Sequence, residues 1–516
     1  MSKPLAYKSL KNLGVNGLNT QDNPTSLDPS WMIQADNLVL REGDRITTRK
    51  GLKQQVLSGA SKIGAIAECK HGNVVASIGS YLYVVNLATP DTPWTSAFDT
   101  GAGDSDWQLV EFNNDLYCFQ QGEEPVEHTA STFSLLTSNQ HYSAPSGVST
   151  FNPSCASGYY GRLWAGGVSG TEDVLYYSDT LIPAKWSGGS SGYIDLKTVW
   201  GSDEIVAVEP FMGQLVIFGK ENIVLYKNPS SPSSMELSEV IRGIGTVSRD
   251  SVRAVADDLF FLSETGLRSL NRTTQLDKLP LTELSINIKD DITSLIKEDT
   301  NVKGCYVQDE GLYLLSFVNK RITYVFDIAH KTSSGVPRIY KWIFNNTHTP
   351  TSLTFGVSRG FLIGTEDGSI SKYTGYYDSQ YVSGGSYVDS TYSTVFSTPW
   401  VDLGDSIGAS LLKQLRLIID GGSGSTTTLS TFLDLSNTAE QSEAIVLDAS
   451  DSGTPAQFGI SEFNIGEFTR LLFLTEFKTH MSGSAKFLRL QLSTVVSGFS
   501  SAFQSLTLLY KQGKLR

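Results

Sequence analysis

Two carboxylates that face each other across a cleft can cleave a glycosidic bond, one as general acid and the other as base or nucleophile. The chain carries three adjacent acidic doublets, Glu123-Glu124, Asp257-Asp258 and Asp290-Asp291. Neighbouring residues on a strand point to opposite faces, so none of these doublets is a facing pair by its spacing, and they read as solvated turn or helix carboxylates. The six histidines fall in no HxxxH or HExxH arrangement, so a histidine metal site or triad would need scattered positions brought together. Cys69, Cys118, Cys155 and Cys305 lie far apart with no CxxC pair, which suggests isolated, partly buried thiols rather than zinc ligands or a disulfide framework.

The runs Gly101-Ala102-Gly103-Asp104 and Gly188-Gly189-Ser190-Ser191-Gly192 lack the lysine and the strand-to-helix setting of a phosphate-binding loop, and read as ordinary loops. The aspartate-rich loops show no EF-hand spacing. Tyr159-Tyr160, Tyr176-Tyr177 and Tyr376-Tyr377 offer ring faces of the kind that cover sugar C–H surfaces, but strand residues packed between sheets account for them more simply. No catalytic, cofactor-binding or metal-ligating residue is nominated, and no cofactor is expected. Spacing identifies no gate or lumen residue either. A structural part, rather than an enzyme, is the expected class.

The elements that carry these residues are strands. Of the 516 residues 40% are apolar and only 18% charged, and 47 glycines, 22 tyrosines and 24 phenylalanines suit a turn-and-strand chain. The net charge of −13 argues against a groove built to neutralise nucleic-acid phosphates, while leaving room for a wall along which DNA slides without sticking. Met1-Ser2-Lys3-Pro4-Leu5 lacks an apolar signal core, and no apolar run approaches the ~20 residues that span a bilayer. The expectation is a protein made in the cytoplasm, without a membrane span.

Residues 1–58 read as an extended, turn-rich leader, with a short helix or turn at Trp31-Met32-Ile33-Gln34-Ala35-Asp36-Asn37 and then two strands around Glu42-Gly43-Asp44. Over residues 59–380 one arrangement recurs: a β-rich run, a polar turn, a second apolar run. The clearest copies are Glu111–Phe119 and Glu209–Phe218, two more are Val255–Leu262 and Val307–Leu315, and weaker ones lie at His71–Ala76, Tyr160–Ala165 and Ser358–Ile363. Units of three or four short strands, roughly forty to fifty residues apart, are how propeller blades look in sequence. Six to seven such units are expected, interrupted by one amphipathic helix near 281–297, where Leu281, Leu284, Ile288, Ile292 and Leu295 share a face. The Ser-, Gly- and Tyr-rich stretch Asp378–Ser397 reads as a linker or a last polar strand. Alternating segments at 411–420, 427–433, 487–492 and 505–510 predict a C-terminal β-sandwich over 395–516, with the final strand returning to the propeller. The fold class is thus all-β: a β-propeller with an attached β-sandwich and an extended leader.

Three short elements carry a resemblance. Gly17-Leu18-Asn19-Thr20-Gln21-Asp22-Asn23-Pro24, Gln34-Ala35-Asp36-Asn37 and Ile46-Thr47-Thr48-Arg49-Lys50-Gly51 resemble the GL-D-NP, A-N and R-x-G elements that open phage tail proteins. Ile241–Ser248, Leu284-Ser285-Ile286, Thr323–Asp327 with Trp342, Pro399–Gly404 and the closing strand ending in Tyr510 are similar to the tail nozzle, or packaged-DNA stabilisation, proteins of short-tailed bacteriophages. The resemblance implies a virion protein assembled in the host cytoplasm as a homohexameric tube below the portal. Its partners would be the tail adaptor or head–tail connector and tail fibre or tailspike proteins. It would retain packaged double-stranded DNA and conduct it during ejection, without sequence-specific contacts. The alternative reading is a carbohydrate-binding or carbohydrate-cleaving propeller of a tail receptor-binding protein, which requires a facing carboxylate pair in a propeller-top pocket.

Overall fold

The computed structural model describes residues 5–10, 12–41, 45–57, 59, 61–70, 72–103, 106–129, 132–271, 283–332, 334–345, 348–403, 409–421, 426–446 and 473–512. The chain is all-β and its centre is a β-propeller. Four four-stranded antiparallel sheets come first, with innermost strands Ile63–Glu68, Gln108–Phe112, Cys155–Tyr159 and Ile205–Phe211. A three-stranded sheet follows, Arg253–Val255, Asp258–Ser263 and Gly266–Ser269, whose outer side carries a single bridge from Arg268 to Glu283. Two larger sheets complete the ring, with innermost strands Val302–Val307 and Pro350–Gly356. Pro350–Gly356 packs directly beside Ile63–Glu68, so the ring closes.

Every recurring hairpin seen in the sequence is the same turn, the one joining the innermost strand of a sheet to its neighbour. In several, the two turn residues both have positive φ: Asn113 and Asn114 at 52° and 71°, Met212 and Gly213 at 48° and 77°. That backbone twist matches the right-handed twist of the flanking strands. Apolar clusters lie between successive sheets, for example Trp164, Val208 and Ile217, then Phe218, Leu259 and Phe261.

The ring is sealed by the leader. Leu52–Gln54 pairs antiparallel with Ile370–Tyr373 and supplies the fourth strand of the last blade. Beyond it, Asp378–Tyr381 and Tyr387–Ser390 extend the same sheet, and Tyr392–Ser397 joins another, so of the two readings of this polar stretch, linker or last polar strand, paired strands are what forms.

The leader is not a free extended arm. Trp31-Met32 and Gln34–Asp36 are strands, where a helix or turn was expected, because Gln34–Asp36 is claimed on both sides by Pro337–Trp342 and Tyr392–Ser397. Leu38–Arg41 and Arg45–Thr48 pair as the sequence predicts, and the turn between them lies outside the described residues. The C-terminal strands fall into two sheets. One runs on from the sheet of Val302–Val307 through Tyr392–Ser397, Phe487–Val496, Thr426–Leu433 and Gln441–Val446. The other contains Ser410–Gly421, Ser501–Lys511, Phe473–His480 and the leader strands Ala6–Leu10 and Arg45–Thr48. Phe396 of the first sheet stacks on Phe503 of the second at 5.9 Å. The final strand, Ser501–Lys511, pairs within this second sheet and does not return to a blade.

The amphipathic helix is shorter than its periodicity suggested, at Lys289–Glu298, with Leu281 outside the described residues. Leu284 lies before it because backbone and hydroxyl bonds hold Leu284 and Ser285 to Leu267 at the edge of the three-stranded sheet. Ile288 and Ile292 are buried as the pattern requires, Leu295 packs half-buried against the same core, and Ile296, which the pattern did not include, is buried beside it.

Candidate functional site

The innermost strands leave an axial channel, and four charged side chains close it. Lys303, from Val302–Val307, donates to Asp250 Oδ2 at 2.6 Å and to Asp106 Oδ1. Arg249 grips the same Asp250 through Nε and Nη2 at 3.1 and 3.0 Å, while its Nη1 donates to the Ser154 carbonyl at 2.8 Å. The cluster therefore ties together segments belonging to several blades. Burial alone would raise the Asp250 pKa, but Arg249 and Lys303 outweigh it and hold the carboxyl well below the usual carboxylate range.

A cavity lies on each side of this plug, of about 510 and 520 Å³, and Gly64, Asp250 and Lys303 line both. The first is bordered by paired charges such as Lys220 with Glu204. The second is bordered by Glu111, Tyr159, Glu209, Arg253, Tyr306 and Phe355. Arg253 is committed elsewhere, donating to the carbonyls of Gly304 at 3.1 Å and Val252 at 3.0 Å. Among the described residues Glu209 has neither hydrogen-bond nor ion-pair partner. Burial pushes its carboxyl up to about 7, with Arg253 only partly opposing.

A second constellation joins the leader to the rest. Arg49 is fully buried and makes a bidentate pair with Asp378, Nη1–Oδ1 at 3.2 Å and Nη2–Oδ2 at 3.0 Å. Its guanidinium lies 4.1 Å from the Tyr392 ring centroid, and its Nε donates to Asn37 Oδ1 at 3.0 Å. Asn37, at φ 58°, also accepts from Ile343 N and donates to the Ser393 carbonyl. Gly51 follows because a Cβ there would stand 2.0 Å from the Tyr377 carbonyl oxygen. Further upstream, Asn19 Oδ1 accepts from Gln21 N and Asp22 N, shaping a turn from which Thr20 Oγ1 donates to Asp291 at 2.7 Å and Gln21 Nε2 to Asp290 at 3.2 Å. The GL-D-NP, A-N and R-x-G elements are thus the residues that lock the leader onto the helix, two blades and the C-terminal sheets.

Asp290 and Asp291 bind the leader at the helix start; Asp257 lies in the inner turn, while Asp258 opens the strand Asp258–Ser263 and its carboxylate accepts from Leu259 N and Asn271 N. Glu123-Glu124 sits in a turn between two strands of one blade. None of these doublets faces a second carboxylate across the channel cavities. All four cysteines are free and buried, and burial pushes the Cys69 and Cys155 thiols up to about 12, so neither is a ready nucleophile. Tyr160 donates to the Gln214 carbonyl of the next blade, and Tyr177 packs on Trp164 at 5.4 Å. Among the described residues no group of three His, Cys, Asp or Glu is placed to hold a metal ion, and no helix is long and apolar enough to cross a membrane.

The plug and Glu209 were not singled out from the sequence. One signal was there: the two clearest hairpins open on Glu111 and Glu209, the last acidic residues before an inner turn, and both line the second cavity. Nothing in the spacing of Asp106, Asp250 and Lys303 announces that they meet.

No family model and no curated protein matches the chain. Among solved structures it is similar to PorZ, a bacterial surface component of the type-IX secretion system of Porphyromonas gingivalis, with 12% identity and a TM-score of 0.36. That match covers 70% of this chain and 44% of PorZ. It is also similar to the Pan2 WD40 domain of Neurospora crassa, at 6% identity, 65% and 99% coverage and a TM-score of 0.39. A third likeness is to YCF48 bound to D1 peptide, at 9% identity, 65% and 97% coverage and a TM-score of 0.36. These identities are too low for any function to transfer.

Proposed function

We propose that this chain is a structural virion protein, the tail nozzle subunit of a short-tailed bacteriophage, acting as a homohexamer below the portal and adaptor to retain and then conduct packaged DNA. The observation that carries this reading is the use of the leader motifs. The residues on which the resemblance rests are those that fasten leader, propeller and C-terminal sheets together, and a tube wall under pressure from packaged DNA needs such joints. A net charge of −13 also suits a wall that DNA must pass without sticking. The plug of Lys303, Asp250, Arg249 and Asp106 makes the propeller channel a poor conduit. On this reading DNA travels through the tube enclosed by the subunits.

Negative-stain microscopy and mass photometry of the purified chain, alone and mixed with the phage's head–tail adaptor protein, test the proposal. Sixfold rings on the adaptor are expected. Monomers that never assemble with it, together with turnover of a surface polysaccharide, would overturn it in favour of the carbohydrate-active alternative.

A further inference from the structure

We infer that the channel cavity on the Glu209 side of the plug is a binding site for an organic cation, an ammonium or guanidinium group held by the Glu209 carboxylate. The inference is independent of the tail reading.

At the plug the cavity is bordered by Gly64, Asp250 and Lys303. Its floor is the plug, whose two cations and two carboxylates neutralise one another and offer no spare charge. Its volume of about 520 Å³ lies within the roughly 300–1,000 Å³ usual for small-ligand sites. Among the described residues the Glu209 carboxylate on its wall has neither hydrogen-bond nor ion-pair partner, whereas Glu111 accepts from Lys70 N. The cation that acts on Glu209, Arg253, donates through Nε and Nη1 to two backbone carbonyls and holds Nη2 4.0 Å from Asp250, with no hydrogen bond or ion pair to Glu209 among the described residues. Tyr159 is 48% exposed on the same wall, and its phenol is held up first by burial and then by Glu209, which places ring and carboxylate within electrostatic reach. A carboxylate beside an exposed aromatic ring is the environment that favours a desolvated cation, through a charge-assisted hydrogen bond and a cation–π contact. The charge on Glu209, which burial alone disfavours, would be restored by such a ligand. The titratable groups around it are Arg253 from one neighbouring blade and Tyr159 and Cys155 from the other.

The cation has two conceivable sources, a free diamine or polyamine and a basic side chain of a partner segment. Calorimetric titration of the full chain at pH 8 with putrescine, and separately with a capped lysine-containing peptide, distinguishes them. Saturable single-site binding is expected for at least one of the two. Glu209→Gln should weaken it at least tenfold and Tyr159→Leu severalfold, with melting temperatures showing both variants folded. Binding of both cations assigns the site to free amines, and of the peptide alone to a partner segment. No saturable binding of either cation overturns the proposal. So does binding unchanged in folded Glu209→Gln, or equal binding of uncharged 1,4-butanediol.

Discussion

Arg49 and Asp378, 329 residues apart in sequence, meet as a bidentate pair with side chains 0% and 1% exposed. Asp378 Oδ1 also accepts from Leu52 N at 3.0 Å, so one carboxylate fixes both the guanidinium and the strand that seals the propeller. Breaking a buried pair by removing one partner leaves an uncompensated charge and costs roughly 3–5 kcal/mol. Arg49→Met and Asp378→Asn are each expected to destabilise on that scale by denaturant unfolding. Hydrogen exchange at 52–54 should rise together with exchange at 370–373, because the two strands share a register.

Gly51→Ala is expected to be damaging although it adds one methyl. The obstructing atom is the Tyr377 backbone carbonyl oxygen at 2.0 Å, which cannot rotate away as a side chain would. Overpacking of this kind costs about 1–3 kcal/mol or more. Gly103→Ala, where nothing lies within 4 Å and φ is ordinary, serves as the silent control. Equal melting temperatures for the two variants would contradict this account of the R-x-G element.

The plug makes stability acid-sensitive. Because Asp250 has a depressed folded-state pKa, the stability it contributes is present above its unfolded value near 4 and is lost as pH falls below that. Lys303→Met removes one of its partners and should weaken the fold at neutral pH, with a shallower loss between pH 4 and 2. Unfolding midpoints at stepped pH values measure both.

His348 and Glu209 pull in opposite directions across pH 4.5–7. His348 is buried and held below its ordinary value near 6.5, mainly by burial, so the unfolded chain takes its proton first and stability falls as pH drops through 6.5. Glu209 is raised to about 7 from 4.5, so the folded chain holds its proton longer and stability falls as pH rises from 4.5 to 7. Glu209→Gln is expected to raise the melting temperature at pH 8 relative to wild type and leave it unchanged at pH 4. His348→Gln should flatten the loss below pH 6.5.

Local pattern made much of this protein legible. Alternation of apolar residues and the turn pairs Asn113-Asn114 and Met212-Gly213 identified the inner hairpin of every blade, since twist and face are local properties of a few consecutive residues. The same locality misread Trp31–Asn37 and the start of the helix before Lys289, where partners far along the chain, Pro337–Trp342 and Leu267, override local preference.

The sequence by itself determined the all-β class, the hairpin units and the absence of a charge excess that would hold nucleic acid. Only the tertiary structure decided that Leu52–Gln54 seals the ring, that Asp106, Arg249, Asp250 and Lys303 close its channel, and that the Glu209 carboxylate has no hydrogen-bond or ion-pair partner among the described residues. The reason is geometric. Each blade presents its inner strand to a common axis, so residues separated by one or several blades become neighbours there, and no spacing along a linear chain encodes which of them will share a charge.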